Sequence, residues 1–419
     1  MRALLQNLQT DERIILESVF WSGTPSRHEL LLSTGFSKTK LNEAVANLIA
    51  SGWLEEGELQ DSRGGRPPLG LSFAPTLGHV IGVDLGATGV EVVLCDLSLR
   101  PIEVRHANID VRTGPATVMP VISKLIADLL ETHRLEPDQV LSLGFGMPSP
   151  IEFETGILIN PILMAGWEGF SLRDYFSSSL DVPVAVDNDV NVMALGELWH
   201  ARINAPGLAR RENFLVVKLG TGIGAGIVAR GEIYRGADGA AGDIGHNCVD
   251  PHGPRCVCGN FGCLELWAGA NSIIQSATEA GRNAQSPAIA MLLEKHGLLR
   301  KPYLLEKPGI TIEDVARAAR EGDHASNEII QDAGSRIGQV LAGLVNFFNP
   351  ARILIGGRVA RIGPLMLSSI RQSVYARSLP LSTRALRIDY TRLGNESGMR
   401  GACALALLEA VRRPDLARV

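Results

Sequence analysis

The pattern of strand, glycine turn and strand is written twice in this chain. It appears first as "VIGVDLGATGVEVVLCDLSLRPI" from Val80 and again as "NFLVVKLGTGIGAGIVARGEIYRG" from Asn213. Each copy opens a stretch in which short apolar strands alternate with amphipathic helices such as "VMPVISKLIADLLETH". A chain that repeats this order is constrained to two related α/β halves, each built on a β-hairpin whose tight turn can face a phosphate. The long helix from Ala325 runs into the strand and glycine pair of "ARILIGG", and "GMRGACALALLEAVRR" reads as a final core helix. At 419 residues, two or three domains are expected.

Residues 1–76 follow a different grammar. "DERIILESVFWSG" carries a helical apolar stripe that stops at Gly23. "SRHELLLSTG" starts at a Ser26 cap and stops at Gly35, and "SKTKLNEAVANLIASG" starts at Ser37 and stops at Gly52. "WLEEGELQ" and "LGLSFAP" then read as two strands around "DSRGGRPP". Three short helices and a hairpin are the layout of a winged helix-turn-helix. Its recognition helix would expose Ser37, Lys38, Thr39 and Lys40 at its first turn, where such domains contact bases and phosphates, and its wing would offer Arg63 and Arg66 to a minor groove. The alternative is a three-helix module for protein contacts, which the slightly acidic balance of this region favours. The concentration of positive charge at the helix start and the wing favours DNA.

Forty basic against 45 acidic residues leave no global field for nucleic acid or anionic lipid, so any DNA contact must be local. No apolar run reaches membrane-spanning length, and the N-terminus lacks a signal-peptide pattern, so no membrane insertion is expected. Four of the six cysteines cluster, while Cys95 and Cys403 stand alone in apolar surroundings. That is no disulfide framework, and a reducing cytoplasm is the expected compartment.

Three stretches carry chemistry. "GVDLGATG" resembles the first phosphate loop of the actin-like sugar-kinase fold, with Asp84 at the Mg²⁺-organising position and Gly86 and Thr88 in the turn. "LGTGIGAG" resembles the second loop, where Gly220, Thr221, Gly222 and Gly224 would present backbone N–H groups. "DNDVN" offers Asn188 and Asp189 at a strand end, and an aspartate there can accept a proton from a sugar hydroxyl. With "AGDIGH" and the "GH…CxCGxxGCxE" element added, residues 10–412 resemble the ROK (repressor, open reading frame, kinase) family in its winged-helix repressor branch.

The resemblance implies a winged helix-turn-helix followed by a two-lobed actin-like core. The lobes are expected at 77–190 and 191–397, with a zinc loop at 245–265 and a final helix near 398–413 that returns to the first lobe. It implies a sugar bound in the cleft between lobes, with Asn188, Asp189, Asp243, His246, Glu265 and Gly146 as contacts and Asn160 on the same wall. Two positions depart from the family pattern: Asp243 replaces the usual Glu, and Ser149 stands where Gly is frequent.

His246, Cys256, Cys258 and Cys263, spaced H-x9-C-x-C-x4-C, make a Cys3His set that fills a tetrahedral Zn²⁺ and leaves no open position. The zinc is therefore expected to be structural, and it would fix His246 and Glu265 together. Cys248 and His252 are secondary candidates.

The nucleotide side looks degenerate. "GATG" places Ala87 and Gly89 where the family's kinases carry Gly and a polar residue, and Arg358 stands where they carry Gly, against the adenine. ATP and Mg²⁺ are thus not expected. The reading is a sugar-responsive repressor of carbohydrate genes. It would act as a homodimer or dimer of dimers on a pseudo-palindromic operator, open to control by a protein partner. The alternatives are an active ATP-dependent sugar kinase with Asp189 as base, and a protein-binding scaffold.

Overall fold

The computed structural model describes residues 2–59, 69–153, 155–159, 161, 164–177, 180–204, 212–299 and 309–412. They form two compact units. One comprises the described residues of Met1–Arg211, Gly236–Gly239 and Glu396–Val419, the other those of Glu212–Arg235 and Ala240–Asn395.

The first unit opens on the winged helix. Helices Thr10–Ser22, Arg27–Thr34 and Lys38–Ala50 precede an antiparallel pair, β1 (Leu54–Leu59) and β2 (Leu69–Phe73). The caps fall where local chemistry puts them. The Ser26 and Ser37 side chains accept from the Glu29 and Lys40 N–H groups, and Gly35 ends its helix in the left-handed region at φ 68°. A further short helix, Arg2–Asn7, precedes these and carries no signal in the sequence pattern. The wing tip, with Arg63 and Arg66, lies outside the described residues.

The rest of this unit is built on a five-stranded sheet of β3 (His79–Leu85), β4 (Gly89–Asp96), β5 (Pro101–Asn108), β6 (Val140–Met147) and β9 (Val184–Asn188), with helices such as Pro115–His133 and Asp189–Asn204 packed on it. A small hairpin, β7 (Ile151–Glu152) and β8 (Ile157–Leu158), lies between β6 and β9 in the chain. The sheet order is β5-β4-β3-β6-β9, antiparallel from β3 through β5 and parallel from β3 through β9. The second unit repeats this wiring. Strands β10 (Phe214–Leu219), β11 (Ile223–Ala229), β12 (Glu232–Tyr234), β13 (Arg352–Gly356) and β14 (Arg387–Tyr390) run in the order β12-β11-β10-β13-β14 with the same directions. The recurrence read in the sequence is thus a duplicated sheet topology. Among the described residues no helix is long and apolar enough to cross a membrane.

The last helix, Ser397–Val411, belongs to the first unit and packs on β3, β6 and the helix Asp189–Asn204. Its seat is made of glycines. A Cβ on Gly144 of β6 would overlap the Ala402 carbonyl oxygen and lie 2.7 Å from the Ala406 nitrogen, and one on Gly401 would overlap the Val192 carbonyl. The Ser142 hydroxyl donates to Ala406 O at 2.6 Å beside this seam. Cys95 and Cys403, which stand alone in the sequence, meet across the same seam, buried, with their sulfurs 3.2 Å apart. Burial raises the Cys403 thiol well above its ordinary range.

Because the atoms that would be struck are backbone, relaxation is costly. Gly144→Ala is expected to destabilise the first unit by about 3 kcal/mol, at the upper end of what overpacking typically costs. A thermal melt followed by circular dichroism should show the first transition lowered, and an unchanged melt would refute the account.

Candidate functional site

In the second unit the β10–β11 turn is the second glycine loop. Gly220 N–H donates to Gly222 O at 3.0 Å, and Ala270 N–H donates to Gly220 O at 2.9 Å. The segment carrying Asp243 lies along β11, since Ala225 N–H donates to Gly242 O at 2.8 Å. Gly242 sits at φ 104°, with the Ala225 carbonyl where a Cβ would be, so only glycine fits. Asp243 then precedes a single turn, Ile244–His246, and its side chain caps nothing there.

His246 leads into the cysteine clasp. One donor atom from each of His246, Cys256, Cys258 and Cys263 lies within 4.8 Å of all the others. The imidazole Nδ1 faces Cys256 Sγ at 3.5 Å, and the Cys258 and Cys263 sulfurs are 3.6 Å apart. This arrangement puts Nε2 on the opposite side of the ring. Backbone pairing brings the thiols together: Cys256 N–H donates to Asn260 O at 2.7 Å, and Val249 N–H to Gly262 O at 2.8 Å. Gly259 and Gly262 turn the chain at φ 95° and 63°. Cys248 is exposed and outside the four-donor cluster, as is His252.

Burial and the neighbouring thiols push Cys263 up to about 12, and burial raises Cys256. Burial also opposes ionisation of Cys258, but hydrogen bonds, chiefly from the Asn260 backbone, hold its thiol below the ordinary range. Three sulfurs packed this closely favour the thiolate form only beside a cation, and the donor set matches closed tetrahedral coordination.

Glu265 follows directly. Its Oε2 accepts from Ile223 N–H at 3.3 Å and lies 3.1 Å from where a Cβ on Gly222 would stand. Burial raises this carboxyl, and the charge of His246 partly offsets the effect. Glu265 therefore braces the glycine loop from the clasp, a link that sequence reasoning missed because Glu265 and Ile223 are 42 positions apart.

In the first unit, Asp84, Gly146 and Asp187 stand in register across β3, β6 and β9, with Met147 opposite Asn188. Asn188 is held at both ends of its amide. Its Nδ2 donates to Ser149 O at 3.1 Å, and its Oδ1 accepts from Val190 N–H at 3.0 Å, capping the helix that begins at Asp189. Asp189 is 9% exposed. The carboxylate of Asp84 packs against Gly398 in the first turn of the final helix, where any side chain would overlap it.

In the first glycine loop, Gly86 N–H donates to Gly89 O at 2.8 Å and Thr88 O accepts from Ile109 N–H at 3.3 Å. Ala87 packs on the core of this lobe. The Arg358 guanidinium is paired with Glu313 at 3.2 Å. A cavity of about 260 Å³ beside the glycine pair Gly356–Gly357 is lined by Ala360, Arg361, Tyr390 and Thr391 among others. Asn160 lies outside the described residues.

On the winged helix Lys38 and Thr39 are exposed, and Ser37 serves as the cap. The Lys40 ammonium pairs with Asp11 at 2.9 Å and lies 4.5 Å above the Phe36 ring.

The sequence model of the ROK family matches residues 80–409. The chain belongs to the ROK family. It is 26% identical to the xylose repressor of Caldicellulosiruptor bescii over 98% of both chains. It is 32% identical to a glucokinase of Halalkalibacterium halodurans, over 77% of this chain and 92% of the glucokinase. Among solved structures it resembles a ROK transcriptional regulator described as a homologue of the Escherichia coli MLC protein (TM-score 0.77, 25% identity, 96% of each chain). It also resembles the Streptomyces griseus ROK glucokinase in complex with glucose and AMPPNP (TM-score 0.66, 26% identity, 78% of this chain and 99% of that one). The fold is therefore the winged helix and actin-like core of this family.

Gly262 is the hinge of the clasp, because its φ of 63° and the overlapping Asp250 carbonyl admit no side chain. Gly262→Ala should open the clasp and make the buried Cys256 and Cys263 react readily with a chromogenic thiol reagent under native conditions. Protection equal to that of the parent protein would show that the clasp tolerates the change.

Proposed function

We propose that this ROK protein is a sugar-responsive, DNA-binding transcriptional repressor whose kinase-like core senses a sugar. The observation that carries the reading is the winged helix, with capped recognition helix and exposed Lys38 and Thr39, preceding the region that the family model covers. The repressor relatives match almost the whole chain, whereas the glucokinase relative matches about three quarters of it. In this reading Asn188, Asp189, Asp243, His246 and Glu265 are the sugar contacts. Ser149, through its carbonyl, and Gly146 shape the site around Asn188.

The clasp would hold Zn²⁺ through His246 Nδ1 and the sulfurs of Cys256, Cys258 and Cys263. Bound there, the ion supplies positive charge that keeps the thiols ionised and the loop folded. Nδ1 on the metal leaves Nε2 to donate to a hydroxyl, which is the division of labour an imidazole permits. Operator DNA is contacted from the Lys38 end of the recognition helix. A homodimer reading two half-sites is the expected assembly. A sugar that releases DNA must bind the DNA-incompetent state more tightly. A second reading, an ATP-dependent sugar kinase, draws on Asp189, the second glycine loop and the glucokinase relative at 32% identity.

A thermal-shift panel of D-glucose, D-xylose and N-acetylglucosamine, with and without ATP, separates the two. The sensor reading expects a shift with one sugar, no further shift with ATP, and no ADP release. ADP release dependent on that sugar would establish the kinase instead. Asp189→Asn should weaken the sugar about tenfold or more, the loss expected when a charged hydrogen-bond acceptor is neutralised, with the unliganded melting temperature retained. Metal analysis of the purified protein should give one zinc per chain, and Cys263→Ser should abolish it and lower the melting temperature. Lys38→Ala should weaken DNA binding evenly across sequences and reduce the salt dependence by about one unit of slope.

A further inference from the structure

The winged helix is fastened to the first lobe at two places. At one, the buried guanidinium of Arg13 donates to the carbonyls of Ala410 (3.3 Å) and Arg412 (2.8 Å) at the end of the final helix, and to Leu5 O. At the other, the Arg202 guanidinium lies 4.1 Å over the Trp21 ring, and Ile203 packs 3.3 Å from where a Cβ on Gly23 would stand. Arg202 and Ile203 are in the last turn of the helix Asp189–Asn204, whose first residue is Asp189. At 1.5 Å per residue this helix is a rod of roughly 24 Å.

The other arm of the same unit returns to the winged helix as well. Strand β9 ends at Asn188, and the two residues before it, Val182 and Pro183, line a cavity of about 600 Å³. Leu5, Thr10 and Arg13 of the N-terminal segment line the same cavity. A single strand-and-helix unit thus carries Asn188 and Asp189 at its tip, meets the winged helix at one foot, and at the other shares a cavity with it. One foot is packed on Trp21, and the other borders open volume. Close-packed seams move as rigid pieces, and unfilled volume at a seam is where a piece can shift.

Resting on the reading of Asn188 and Asp189 as sugar contacts, we infer that this strand-and-helix unit is the lever that carries sugar occupancy to the DNA-binding domain. Arg202 and Trp21 are its coupling residues. Sugar held at the tip biases the tilt of the rod, and the stacked Arg202–Trp21 pair makes the winged helix follow. The final helix is locked to the rod along its length by Gly196 against Gly401 and by the Ser397 hydroxyl donating to the buried Glu197 at 2.8 Å. The rod therefore moves with the helix end that Arg13 grips.

The test uses the full chain and a duplex selected by the parent protein from a random-sequence pool. DNA affinity is measured with and without saturating D-glucose, D-xylose or N-acetylglucosamine, for the parent protein and for Arg202→Ala, Trp21→Leu and Arg202→Lys. In the parent, the effective sugar should change DNA affinity about tenfold, within the usual range of coupling between sites. In Arg202→Ala and Trp21→Leu that change should fall below about threefold, with sugar affinity and sugar-free DNA affinity near parental values. Arg202→Lys, which keeps a cation over the ring, should recover part of the response. A parental response in both variants, or loss of DNA binding without sugar, would overturn the inference.

A second readout needs no sugar. Bound DNA should slow amide hydrogen exchange at 188–192, the far end of the rod, in the parent but not in Arg202→Ala. The inference fails if the parent shows no such effect, or if the variant shows it equally. If none of the three sugars binds, the reading of Asn188 and Asp189 as contacts to these sugars fails by itself, and the exchange result still decides the lever.

Discussion

Everything in the first unit rests on the close seating of one helix. Ser397–Val411 lies against β3, β6 and the helix from Asp189 with glycine, alanine and serine at the seam, so that backbone touches backbone. Such contact makes the final helix and the helix from Asp189 shift as one piece, because there are few side-chain rotamers to absorb a shift between them. The ends of the helix are matched by charge. Asp84 packs at its first turn, Glu197 accepts from Ser397, and Arg13 takes its last carbonyls. Carboxylates near the positive end of the helix dipole and a guanidinium at the negative end both favour this placement. Asp84, read from the sequence as the remnant of a Mg²⁺ site, has this structural contact whatever the state of the nucleotide side.

The second unit is organised around a different constraint. Its clasp is short and nearly all turn, tied by backbone hydrogen bonds and by Val249 and Leu264 packing on the core of this unit, and it brings four donor side chains within 4.8 Å of one another. Its effect reaches beyond the loop. Glu265, two residues after Cys263, braces the Ile223 end of the glycine loop, and His246 presents its second nitrogen away from the sulfurs. A clasp of this kind sets the direction of two polar side chains at once.

Much of the fold was legible because its signals are local. The serine caps and glycine stops of the winged helix act within four residues, and the structure places Ser26, Ser37, Gly23 and Gly35 at helix ends. The doubled strand–turn–strand pattern appeared as a duplicated sheet order. The metal-type cluster was visible because its four donors lie within 18 consecutive residues, where spacing alone limits the geometry. Other features were hidden. Cys95 and Cys403 looked isolated, yet they touch across 308 positions, and Arg13 reaches a carbonyl 397 positions away. Arg358 carried no sign of its partner, Glu313, which lies 45 positions earlier.

The sequence by itself determined which segments become helix, strand or turn, which four side chains can gather around one ion, and which surface turn carries Lys38 and Thr39. Those outcomes depend on side-chain period, capping and spacing, which operate over a few residues. Only the tertiary structure decided that backbone would touch backbone where the last helix meets β6, that Glu265 would brace a glycine loop, and that the helix begun by Asp189 would end beneath Trp21. These depend on which distant segments return to one another. The residues that make the return possible, Gly144 and Gly401, work through the side chains they lack and so leave no periodic trace in the sequence.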